Sequence, residues 1–128
     1  MKIAYQFLDC HEVRMGSPFK MCRLALSGEW TPKLNEYSWT PVAVESPDGR
    51  YLALVHWDDE GNIPGFRVVL IDIEQRSVSI SSRIVRCCCE SLTWRNDSIA
   101  WKAFPGLEGT LPVPFQEDCA GWKLDPRR

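Results

Sequence analysis

Residues 42–55 read VAVESPDGRYLALV. A short apolar run is followed by Ser46-Pro47-Asp48-Gly49 and then by a longer apolar run. Pro47 presets φ for the second position of a type I turn, and Asp48 tolerates the bridge region. Gly49 supplies the positive φ that a G1 bulge needs. The two flanks, 42–45 and 51–57, are therefore predicted to pair antiparallel. The second flank continues as YLALVHW to Trp57, and a longer, acidic connection leads to FRVVLIDI at 66–73, the strongest strand signal in the chain. A tight turn at 73–76 enters SVSISSRIV at 77–85, which alternates with Val78 and Ile80 on one side. Residues 42–85 thus predict a β-meander of four consecutive antiparallel strands.

Outward from this unit the chain stays β-like. Residues 1–8 put Ile3, Tyr5 and Phe7 on one face, and 19–26 follow a polar turn. Residues 91–94 and 98–104 add two more apolar segments. The total is roughly eight strands and no helix. Residues 28–37 read as a loop or a single helical turn. The proline-rich tail 105–128 is expected to run irregularly over the surface, pinned by Leu111, Val113, Phe115 and Trp122.

The stretch from Val42 to Val55, with Val69-Leu70-Ile71-Asp72-Ile73 after it, resembles a blade of a TolB-like or WD-repeat-like β-propeller. A degraded copy, Ser91-Leu92-Thr93-Trp94-Arg95-Asn96-Asp97-Ser98-Ile99-Ala100-Trp101, follows about 49 residues later without the proline and glycine. The resemblance covers about half the chain. A closed propeller needs at least about four blades, and this chain has material for two, so no propeller function is carried over. The expectation is an all-β fold of two blade-like four-stranded sheets packed face to face. Unit 42–85 would form one sheet, and unit 91–104, completed by residues 1–26, the other.

With 128 residues the chain fits a single domain, 1–128. Hydrophobic residues at 45% and charged residues at 25% suffice for a core. A net charge of −2 argues against a general nucleic-acid binder, which needs a concentrated basic surface. No apolar run approaches the length of a membrane span. The opening MKIAYQFLDCHEV, broken by Gln6 and Asp9, is not a secretory core, so the expectation is a cytoplasmic protein. Cys10, Cys22, Cys87, Cys88, Cys89 and Cys119 are then expected as thiols. No C-x-x-C or C-x-x-H knuckle is present, so neither a metal site nor a cofactor is assigned.

No catalytic residue is assigned either. The two histidines, His11 and His56, lie in no G-x-S-x-G, H-E-x-x-H or P-loop pattern. His56 reads as a strand histidine with a satisfied ring. The segment Trp57-Asp58-Asp59-Glu60 is the candidate binding site: an acidic loop with an aromatic base, suited to a basic partner. Its competing reading is a solvated hairpin loop. It lacks the ligand order of a calcium loop. Of six tryptophans, Trp57, Trp94 and Trp101 fall on or beside strands, while Trp30, Trp39 and Trp122 lie in loop-like sequence and supply interface candidates. Arg83, Arg86 and Arg95 read as a solvated edge that discourages edge pairing.

These features favour a non-enzymatic protein-interaction module. Its concrete form is an immunity-type inhibitor of a basic toxin domain, by analogy of size and charge. A homodimer is a further allowed arrangement. The alternatives are a small-molecule-binding protein or enzyme with a pocket between the sheets, and a structural piece of a larger propeller-like assembly.

Overall fold

A computed structural model describes residues 2–12, 19–58, 61 and 63–115. Among the described residues the chain is all-β, with ten strands: β1 (Ala4–Glu12), β2 (Lys20–Ser27), β3 (Trp39–Glu45), β4 (Tyr51–Trp57), β5 (Gly65–Asp72), β6 (Ser77–Ile80), β7 (Ile84–Val85), β8 (Cys88–Arg95), β9 (Ser98–Phe104) and β10 (Leu107–Pro112). All pairings are antiparallel. No helix among the described residues is long and apolar enough to cross a membrane.

The central hairpin forms as its turn chemistry dictates. Gly49 N–H donates to Ser46 O at 2.9 Å, and Gly49 has φ 75°. Asp48 Oδ1 accepts from Ser46 Oγ at 2.6 Å and from Arg50 N–H at 3.0 Å. Val44 then pairs Ala53 and Glu45 pairs Leu52. Strands β3 to β6 are neighbours in sequence order, the expected meander.

Why β4 and β5 read as near-continuous apolar runs is now visible. Both faces of the sheet are covered. Leu52, Leu54, Val69 and Ile71 point into one core with Ile3, Leu24, Trp39 and Ile80. Ala53, Val55, Phe66, Val68 and Leu70 point into the other, against Cys87, Cys89, Leu92, Ile99 and Ala103.

The arrangement of the outer strands corrects the expectation of two four-stranded sheets. Strands β1 and β2 do not complete the sheet of β8 and β9; they extend the meander in the order β1-β2-β3-β4-β5-β6, with β7 also on β5. The sheet must curl, because Ile3 beside its first strand and Ile80 of its last lie in the same core. A bulge between Thr40 and Ala43 bends β3 and gives Pro41 a position where no ladder donor is needed. The expected strand 77–85 is split. Strands β6 and β7 share the edge of β5, and Ser81 spans the break by accepting Val68 N–H through Oγ and donating its own N–H to Val68 O.

The second sheet has three strands, in the order β10-β9-β8. Its edge strand, β10, comes from residues expected to be irregular tail. Prolines did not prevent pairing because they sit at strand ends and on an edge. Leu111, Val113 and Phe115 do pack against the second core; Trp122 lies outside the described residues.

Candidate functional site

Strand β4 ends with Trp57 half-buried and Asp58 at 2% exposure. The sequence placed Asp58 in a free acidic loop, and the structure corrects this. Asp58 Oδ2 accepts Arg67 Nε at 2.9 Å and Oδ1 accepts Arg83 Nε at 3.1 Å. Arg83 Nη2 also donates to Asp58 O and to Ile63 O. A buried carboxylate must be paired, and two guanidiniums from β5 and the β6–β7 link supply the pairing. The result is a clasp that ties the base of the 58–65 connection to the sheet. It also corrects the reading of Arg83 as a solvated edge residue, since its side chain is only 16% exposed. Asp59 and Glu60 lie outside the described residues.

Behind the clasp is a polar hub that sequence reasoning missed. Asn35 Oδ1 accepts Tyr37 N–H at 3.1 Å, which turns Nδ2 toward His56 Nε2 at 3.3 Å. Nε2 is then the acceptor of that contact. The Asn35 carbonyl accepts Trp39 Nε1–H at 2.9 Å, and the Trp39 and His56 rings meet edge to face at 4.8 Å. Trp39, expected in a loop, is fully buried. The hub docks residues 28–38 onto the sheet. Its one sequence signal was a lone asparagine between Leu34 and Glu36, which is also how an ordinary turn reads.

Between β2 and this docked segment lies a groove of about 460 Å³, lined by residues 23–26 and 31–36. Arg23 stands at its wall, with Nε 2.9 Å from Asp9 and Nη1 3.8 Å from Glu36. At another corner Phe104 and Leu107 flank the β9–β10 turn with 56% and 45% of their surface exposed. Phe19 sits against Phe104 at 5.7 Å between ring centroids.

No protein-family model matches the chain, and no curated protein or solved structure matches it. The chemistry therefore rests on the chain's own residues. Cys10 and Cys22 are joined in a disulfide, which departs from the expectation of six thiols. Cys87 and Cys89 are buried thiols, and Cys88 is half-buried. Burial pushes the Cys89 thiol up to about 12, and burial with the neighbouring Cys88 raises Cys87. Both are thus held as neutral thiols, which are poor nucleophiles. No group of three His, Cys, Asp or Glu among the described residues is placed to hold a metal ion.

Proposed function

We propose that this chain is a non-enzymatic protein-interaction module of the immunity-inhibitor kind, and that it holds its partner through the corner formed by Phe19, Phe104 and Leu107. The carrying observation is the exposure of two large apolar side chains on one short turn. Scattered apolar residues are normal on a surface, but two on one fixed turn, with Phe19 against Phe104, make a candidate contact site. Gly106 N–H donates to Ala103 O at 2.9 Å, which fixes the turn. Lys102 and Glu108, directly opposite each other in the ladder and both exposed, supply a polar rim. The net charge of −2 suits a basic partner.

The test is cross-linked capture from native lysate with the wild type and the Phe104→Ser/Leu107→Ser variant side by side. The expected result is a partner recovered by the wild type and lost by the variant, with a melting temperature changed by a few degrees at most. Equal recovery rejects the corner. An Asp59→Ser/Glu60→Ser variant then asks whether the acidic connection beside Trp57 is the contact instead. Gel filtration of the same proteins shows whether the partner is a second copy. The cytoplasmic placement belongs to this proposal and has its own check. Disulfides persist where the surroundings oxidise, so a Cys10–Cys22 bond intact in rapidly quenched cells moves the protein to an oxidising compartment.

The groove beside β2 favours a second reading, a small-molecule binder. Its volume is within the range of ligand sites. A ligand that raises the melting temperature of the wild type, and less so that of Lys33→Ala, supports it.

A further inference from the structure

The Cys10–Cys22 disulfide stands at an unusual place in the sheet. The β1–β2 register slips between Leu8 and His11, and Asp9 there has φ 52°. The extra residue of this bulge sets Cys10 against Cys22 across the hairpin. Cys10 is exposed, whereas Cys22 is 2% exposed. Cys22 is also the residue that joins the hairpin to the rest of the sheet: the β2–β3 register is the pair Cys22 and Trp39. The bond therefore runs from the surface to the joint.

A second chain of contacts leads from the bulge to the groove. Asp9, next to Cys10, accepts Arg23 Nε at 2.9 Å. Arg23 Nη1 lies 3.8 Å from Glu36, and the Glu36 carbonyl accepts Leu24 N–H at 2.8 Å. Glu36 closes the segment that forms the far wall of the groove. Ile3 and Leu24, on the same hairpin side of the molecule, are buried in the first core.

We propose that the Cys10–Cys22 disulfide is a reducible clasp that sets the shape of the groove between β2 and residues 31–36, opened by a dithiol reductant that attacks the Cys10 sulfur. One thiolate of the reductant bonds to Cys10 Sγ, and the electron pair of the S–S bond passes to Cys22 Sγ, which takes a proton. The second thiolate of the reductant displaces Cys10 Sγ, which takes another proton. The reductant leaves as its own disulfide, and the protein has gained two electrons and two protons. Attack at Cys22 is closed because exchange needs access to the attacked sulfur, and Cys22 is only 2% exposed. Once the bond opens, the bulge loses its cross-link, Asp9 loses its fixed position beside Arg23, and the groove wall loosens while both cores hold.

The test uses the intact protein in two arms. In the first, glutathione is added briefly, the reaction is quenched with acid, and the mixed disulfide is located by peptide mapping. It is expected on Cys10; a mixed disulfide on Cys22 overturns the proposal. In the second, amide hydrogen exchange is compared between the oxidised protein and protein reduced with dithiothreitol. Exchange is expected to rise roughly tenfold or more over 5–12 and 31–37, with 52–55 and 68–71 unchanged. No change at 31–37 overturns the link to the groove. A rise across the whole chain makes the bond a staple of the fold and overturns the clasp. The Cys10→Ser/Cys22→Ser variant should match the reduced pattern without reductant and ignore added reductant; if it unfolds while the reduced wild type stays folded, the reduction arm alone decides.

Discussion

The indole of Trp101 lies over Gly109 on the neighbouring strand, so closely that a Cβ built at Gly109 would come within 2.6 Å of ring atom Cζ2. The ring also meets Phe66 edge to face at 5.8 Å, which restricts how it can shift. Trp101 and Phe66 together bind the small sheet to the large one. Gly109→Ala is expected to destabilise the domain by about 1–3 kcal/mol through overpacking. In urea melts, Trp101→Leu should relieve most of that cost, so the double-variant loss falls well short of the sum of the singles. Additive losses would show that the cost at Gly109 does not come from the Trp101 ring.

Gly49→Val tests the central turn by a different route. Gly49 has φ 75°, and nothing lies within 4 Å of a Cβ placed there. Its substitution costs backbone strain alone, about 1–3 kcal/mol for a β-branched residue forced to positive φ. Ser98→Val, at the start of β9 and part-exposed, should cost much less. Equal shifts in urea midpoint would mean that the turn has relaxed into another type.

These two glycines also show what the sequence made legible. Gly49 announced itself because its neighbours Pro47 and Asp48 specify a turn locally. Gly109 did not, because its role depends on a tryptophan eight positions away across a strand pair. The same division holds through the fold. The meander from β3 to β6 was readable from alternation and turns. The curl that brings Ile3 and Ile80 into one core depends on long-range packing, which no local pattern encodes. Leu107–Pro112 carries three non-apolar residues and a proline, so edge pairing alone makes it a strand. In the candidate site, Trp57 and Asp58 were singled out as exposed contacts on charge density. The arginines that draw Asp58 inward lie 9 and 25 residues away.

The cysteine triplet should react with a thiol reagent in a fixed order. Cys87 and Cys89 are 2% exposed, and Cys88 is half-buried on the opposite face of β8. With maleimide at pH 8, Cys88 is expected to label first among the three, and the other two only on unfolding. The stability curve follows from the Cys89 thiol, raised from 9.0 to about 12 by burial. A raised value means that the fold favours the protonated thiol. Its contribution is therefore full below pH 9 and is lost as pH rises from 9 toward 12. Cys89→Ala should lower stability at neutral pH but flatten this alkaline decline. An unchanged alkaline slope in the variant would assign the decline to other groups.

Asp58 gives the sharpest energetic contrast between two ion pairs of similar length. The Asp58 side chain is 1% exposed, and its partners Arg67 and Arg83 are 19% and 16% exposed. Asp9 meets Arg23 at the same 2.9 Å, but its side chain is 74% exposed. Water screens the second pair and not the first, so the distances alone are a poor guide to energy. Asp58→Asn keeps the shape and removes the charge, leaving two guanidiniums packed against a neutral amide. Breaking a buried pair in this way costs about 3–5 kcal/mol. Asp9→Asn should cost at most about 1 kcal/mol, and less in high salt. Arg83→Gln placed on top of Asp58→Asn should recover part of the loss, because one uncompensated cation is then gone. Thermal melts of the four proteins at low and high salt decide the matter. If Asp58→Asn melts within a degree or two of the wild type, the carboxylate is solvated in solution, and the acidic connection regains its place as an open contact surface.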